Sequence, residues 1–170
     1  MVVIVDTNVA VVANGESSQV SGICIYTCIN RLTRIICGEE KLVLDDSCPI
    51  LGEYLRNLRS SGEPGAGDRF LLWLLRNKDT QCDTVSITPI NGSDNEFEEF
   101  PDDPALDDFD PDDRKFIAVA CAHNENPPIL QAVDSKWLDF QNALQENGVT
   151  VEFICIDDIQ RLHQNTTEEK

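Results

Sequence analysis

Two aspartates in this chain stand where short apolar runs end. Asp6 closes VVIV and Asp134 closes ILQAVD. Runs this short and rich in β-branched residues are expected as buried strands, and sites form at the carboxyl ends of strands in open parallel sheets. A carboxylate placed there is partly desolvated, so it requires a cation, hydrogen-bond donors or a proton. Asp6 has a second use, because the sequence DTN can close a local Asx turn and cap the next turn of chain. Spacing leaves both uses open, and Asn8 is either the supporting amide of a site or a turn residue.

Asp113 is singled out from an acidic run by the helix after it. If Phe116, Ile117, Ala120 and Cys121 face a sheet, Asp113 lies one turn before Ile117 on that inner side, and Asp112 points elsewhere. Asp110 is the expected N-cap with Pro111 after it, which leaves Asp113 available. Arg114 and Lys115 can meet phosphate or lie on solvated surface, and surface is the preferred reading. Glu53 sits among Ile50, Leu51, Tyr54 and Leu55 as an exposed wedge residue, and Gly52 beside it permits a close approach of chains. Asp45 and Asp46 are better read as caps for the helix after them.

Were these acids to gather, the chemistry would be that of a hard divalent ion. Mg²⁺ and Mn²⁺ prefer oxygen ligands and are held by a few carboxylates plus substrate phosphate. A pair of such ions about 4 Å apart can activate water and stabilise a leaving oxygen. Crowded carboxylates with no cation raise one another's pKa and oppose folding. Other chemistries fit less well. SGEPGAG at 61–67 lacks the strand and Gly-Lys-Ser of a phosphate loop, no Ser sits in a G-x-S-x-G elbow, and His123 and His163 have no catalytic surroundings. Seven cysteines include no Cys-x-x-Cys. Cys24 and Cys28, four apart on a helix, could share a face, but no second ligand pair follows. Cys121 and Cys155 read as small buried hydrophobes, and free thiols are expected throughout.

The elements that would position these residues alternate between strands and helices. Strands are expected at 2–5, 41–45, 84–90, 129–134 and 149–156, with Pro89 making the third peripheral. Helices are expected over 20–37, from Ser47 and Pro49 through LGEYLRNLR, over DRFLLWLLRNK, from about 113 to Pro127, and over SKWLDFQNALQENG. This alternation calls for a mostly parallel sheet covered on both faces. The segment 91–112 reads as a polar, acidic and flexible connector, and the tail from 157 to 170 as partly helical at best.

Four pieces of the chain, in order, resemble the PIN-domain family over roughly residues 1–156, read as one domain. IVDTN is similar to the family's start and puts Asp6 on its first acid. LVLDDSCPILGEY puts Glu53 on the second, DDRKFIAVA puts Asp113 on the third, and ILQAVDSKW puts Asp134 on the fourth. The resemblance implies a three-layer α/β/α sandwich around a five-stranded parallel sheet. It also implies metal-dependent phosphodiester hydrolysis, usually of RNA, with Mg²⁺ or Mn²⁺ held by Asp6, Asp113 and Asp134. Glu53 would bind metal or orient water, and Asn8 would support the geometry. Many small family members are toxin subunits that form dimers, which implies a homodimer and a small antitoxin-like partner. Two departures stand out. Lys136 replaces a further acid, where it could meet phosphate or remove a second metal, and the acidic segment is longer than a minimal toxin needs.

At 170 residues and 19.0 kDa the chain has room for one well-packed core. Its net charge of −18 is concentrated, with eleven acids and no Lys or Arg in residues 94–113. That charge argues against non-specific nucleic-acid binding and is compatible with acids neutralised by metal or with a basic protein partner. The start carries no basic region of a secretory signal, and no apolar run is long enough to span a bilayer. A cytoplasmic protein with no membrane partner is expected. Beside the ribonuclease stand two alternatives: a PIN-like binding or scaffold module without turnover, and a DNA-directed nuclease.

Overall fold

A computed structural model describes residues 1–16 and 19–168. Five strands, β1 (Val2–Val5), β2 (Lys41–Asp45), β3 (Asp83–Val85), β4 (Ile129–Gln131) and β5 (Val151–Phe153), form one all-parallel sheet in the order β3-β2-β1-β4-β5. Val3, Ile4, Val5, Leu42, Val43, Ile129 and Leu130 have no solvent exposure, as expected for strands covered on both faces. Connections run outward from β1 to β2 and β3, then cross to β4 and β5. The chain therefore reverses direction across the sheet between β1 and β4.

Among the described residues, seven helices flank the sheet: α1 (Thr7–Ala13), α2 (Gly22–Ile36), α3 (Pro49–Asn57), α4 (Ala66–Gln81), α5 (Arg114–Ala122), α6 (Trp137–Glu146) and α7 (Ile156–Glu168). Phe116, Ile117, Ala118, Val119 and Ala120 are consecutive and all buried, so α5 is a helix enclosed on every side rather than an amphipathic one. That explains its Ala- and Val-rich composition. Helices α1 and α4 pack so closely that a Cβ on Gly67 would stand 1.9 Å from the Ala10 carbonyl oxygen. Asp68 locks this junction. Its carboxylate accepts from the Asn14 side chain and from the backbone N–H groups of Arg59 and Gly65. Burial alone would raise its pKa, but these bonds outweigh burial and hold it low.

Several expectations are corrected. The segment 91–112 is ordered. Phe97, Leu106 and Phe109 enter the core, and Phe97 bridges Pro89 in antiparallel fashion. Three short 3₁₀ turns, at Ile90–Gly92, Pro104–Leu106 and Pro111–Asp113, carry the chain onward. Acids lower the average hydropathy of this stretch, yet its few aromatic and aliphatic residues are enough to anchor it. Arg114 secures it from α5 by donating to the carbonyls of Asp107 and Phe109 and lying 4.9 Å from the centre of the Phe100 ring. The tail is helical through Glu168, with Ile159 fully buried and Asp158 bonded to Ser21 and Arg161; residues 169 and 170 of the expected tail lie outside the described residues. The third strand is only three residues long, and the fourth stops at Gln131, three residues short of Asp134. Gly52 makes no close approach of chains, since a Cβ there would meet only the Arg56 side chain at 3.5 Å.

The expectation of free thiols fails at two positions. Cys24 of α2 and Cys155, just before α7, form a disulfide across 131 residues. Spacing along the chain carries no sign of this, because the two cysteines meet only when β5 delivers the chain back beside α2. Cys28 stays a thiol 3.8 Å from the Cys155 sulfur, and burial pushes it up to about 12. The Cys121 thiol is also raised by burial.

Candidate functional site

Asp6 follows β1 at the reversal between β1 and β4, and its two sequence readings turn out to be compatible. Its carboxylate caps α1, accepting from the Asn8 backbone N–H at 2.8 Å, and it is buried at 4% exposure. Asn8 spans the reversal, with its side-chain oxygen accepting from the Ala132 N–H at 2.9 Å. The end of β1 and the chain leaving β4 are thereby held in one register. Tyr54 fastens the other side, its hydroxyl donating to the Val5 carbonyl at 2.5 Å. This bond fixes α3, the helix bearing Glu53, against the carboxyl end of β1.

The four acids converge electrostatically. Burial pushes the Asp6 carboxyl well above the usual carboxylate range, and the charges of Asp113, Glu53 and Asp134 push it further, opposed by the Asn8 N–H. Asp113 is raised to about 6, chiefly by burial and also by Asp134 and Asp110, while the Trp137 N–H and Lys115 act the other way. Trp137 donates from Nε1 to Asp113 Oδ2 at 3.0 Å. Asp134 lies in the turn after β4, where its backbone N–H reaches the Gln131 side chain and its Oδ1 accepts from the Lys136 N–H. Asp45 accepts from the Ile50 N–H in the first turn of α3 at 3.1 Å, although Cys48 holds the N-cap position, and Asp46 does not cap the helix but accepts from the Ser86 hydroxyl.

Contact among the acids is looser than this shared field. Among the described residues, the one trio of metal-ligating side chains whose ligand atoms all lie within 4.8 Å of one another is Cys24, Cys28 and Cys155. Glu53 faces a cleft of about 830 Å³ between α3 and the 89–97 segment, lined also by Arg56, Asn57, Asp94, Asp112 and Lys115. Asp113 and Lys136 face a separate hollow of about 330 Å³ beside Trp137 and Phe140. Asp6 lines neither.

Lys115 departs from its surface reading. It is 5% exposed, its ammonium lies 2.5 Å from Glu53 Oε2, and it donates to the Asp112 carbonyl. Helix α5 is enclosed on all sides, so a lysine in its first turn is drawn inward with it. Lys136 is largely exposed and pairs with Asp110 at 3.5 Å. Sequence reasoning also missed Tyr54 and Trp137. Each is adjacent or close in sequence to a named acid, and each is a large side chain with one polar atom that needs a partner when buried.

Fold and site together define an all-parallel five-stranded α/β protein with a buried carboxylate, Asp6, where the strand order reverses. No helix among the described residues is long and apolar enough to cross a membrane. No family model, curated protein or solved structure matches the chain.

Proposed function

We propose that this chain is a metal-dependent nuclease of the PIN-domain kind, hydrolysing phosphodiester bonds of RNA. One observation carries the reading. Asp6, buried at the strand-order reversal, is raised first by that burial and further by the charges of Asp113, Glu53 and Asp134, acids that come from distant parts of the chain. Such a group opposes its own burial unless a cation shares the site. Its donors are all oxygen, which fits Mg²⁺ or Mn²⁺ and not a soft metal. The Thr7 hydroxyl beside Asp6 is buried with no hydrogen-bond partner among the described residues, one more oxygen available there.

Asp6, Asp113 and Asp134 would hold the ion. When bound, it supplies Lewis-acid activation of water and neutralises charge on the scissile phosphate. The chain's own groups set the geometry. Asn8 clamps the two strand ends, Trp137 orients the Asp113 carboxylate, and Tyr54 fixes the helix that bears Glu53. Arg56, Asn57 and the exposed Lys136 provide donors for a polynucleotide backbone. Hydrolysis breaks the P–O3′ bond as water oxygen bonds to phosphorus, and the departing oxygen takes a proton. A dimer and a small antitoxin-like or otherwise basic partner rest on the family resemblance alone.

A second reading is favoured by the Lys115–Glu53 ion pair: a binding module whose acids are partly neutralised internally and which has no turnover. Incubation of labelled single-stranded RNA and DNA with Mn²⁺ or Mg²⁺ separates the readings. RNA cleavage that disappears with EDTA and in Asp6→Asn is expected. Folded protein that cuts neither polymer at any metal concentration overturns the nuclease, and cleavage confined to DNA overturns the choice of substrate.

A further inference from the structure

We propose that Cys24, Cys28 and Cys155 form a soft-metal site in the reduced chain, a buried trithiolate that takes one Cu(I) ion in place of the disulfide. The site shares no residue with the acidic one and does not rest on the nuclease reading. Its basis is where the three sulfurs lie. They stand within 4.8 Å of one another, and all three residues are buried. Cys28 Sγ is 3.8 Å from Cys155 Sγ. A trigonal ion with metal–sulfur bonds of about 2.3 Å needs its sulfurs about 4 Å apart, so this pair already has the spacing of two ligands. Once the bridge opens, Cys24 has only to withdraw from Cys155 to complete the triangle.

Cys24 and Cys28 are one turn apart on α2, which puts both on one face. Two helix N-termini also converge here. Cys24 is the third residue of α2, and the Cys155 carbonyl accepts the first bond of α7 from the Ile159 N–H. The positive ends of both helices favour thiolate charge at these two positions. Thiolates select a soft ion, Cu(I) or Zn²⁺. Zn²⁺ in structural sites takes four ligands. Among the described residues no further His, Cys, Asp or Glu joins the trio, and cysteines at 5% exposure or less have no solvent beside them to supply a fourth. Cu(I) is satisfied by three. Opening the bridge takes two electrons. A phosphine supplies them, becoming its oxide with oxygen from water, and the protons of that water go to the two sulfurs; in a cell a small-molecule thiol does the same and is itself oxidised to a disulfide. Cu(I) then forms three Cu–S bonds as the thiol protons leave to solvent. The ion ties α2 to the chain between β5 and α7, as the bridge does in the oxidised protein.

The test uses the full chain carrying Cys37→Ser and Cys48→Ser, which removes the two exposed thiols. After phosphine reduction, titration with Cu(I) against a chromophoric Cu(I) chelator is expected to give one ion per chain, with the luminescence of a water-excluded Cu(I)–thiolate centre. X-ray absorption should count three sulfur neighbours, one from each member of the trio, and thermal unfolding should shift upward on loading. The unreduced chain should bind none. Cys28→Ser and Cys28→Ala keep the bridged pair, and each is expected to lose the third sulfur and the luminescence. Cys121→Ser lies outside the trio and should change nothing. Circular dichroism confirms folding of each protein. No Cu(I) on the folded reduced chain overturns the inference, as does equal binding by the unreduced chain, and neither outcome depends on a variant. A reduced chain that stays unfolded with Cu(I) present overturns it as well. Preference for Zn²⁺ in a four-ligand shell overturns the choice of ion.

Discussion

Replacing Asp113 by Asn removes a charge that the fold holds at a cost, so without metal the variant should be more stable than the parent. The Asp113 carboxyl is raised from 3.8 to about 6. Keeping it ionised at pH 7.5 costs about 3 kcal/mol, at roughly 1.4 kcal/mol per tenfold change in proton affinity. The direction comes from proton binding. Between the two values the folded chain holds more protons than the unfolded chain, so stability falls as pH rises through about 6. At pH 4.5 the same charge costs only about 1 kcal/mol, because the folded carboxyl is then protonated. Asparagine keeps an acceptor for Trp137, and the attraction of Lys115 for the ionised carboxylate is already contained in the value of about 6, so other effects of the substitution on packing are common to both pH values. The measurable quantity is therefore the difference between them. In EDTA, urea or thermal unfolding should show Asp113→Asn gaining about 2 kcal/mol more, relative to the parent, at pH 7.5 than at pH 4.5. That corresponds to roughly 4–8 °C in Tm for a chain of this size. A gain independent of pH, or a loss of similar size at both, would refute the claim that burial and neighbouring acids strain this carboxylate.

Two further outcomes test the packing. Phe109→Ala should cost about 3–5 kcal/mol, since Phe109 is 1% exposed and packs edge-on against Trp137 and Phe140; limited proteolysis should then cut within residues 91–112 while the parent resists. Reduction should lower stability by roughly 3–5 kcal/mol because the Cys24–Cys155 bridge closes a loop of 131 residues. Calorimetry with and without a reductant measures this, and Cys24→Ser should already sit at the reduced value.

The strand-and-helix order was legible in the sequence because it depends on local pattern. VVIV and KLVLD became strands with the expected boundaries, since short β-branched runs fit only a buried sheet. Helix α1 was not foreseen, because the DTN sequence at its start is also a signal for a turn, and burial of Val9, Ala10 and Val12 decided the matter. Asp113 was separated from Asp112 by helical phase alone, and the structure does place it inward, bonded to Trp137. The acidic segment defeated the same kind of reading. Its order depends on three buried apolar side chains and on Arg114, whose contacts are made in space rather than by periodicity.

By itself the sequence determined the parallel α/β class, the strand end on which Asp6 depends, and the inward phase of Asp113; the strand before Asp134 ends three residues earlier than its pattern implied. Each of these comes from period and side-chain type within a few residues. Only the tertiary structure decided that the four acids share one field, that Glu53 is paired with Lys115 and that Cys24 meets Cys155. Those facts depend on distances between residues tens of positions apart. Such distances are set by how helices seat on the sheet, which no local pattern encodes.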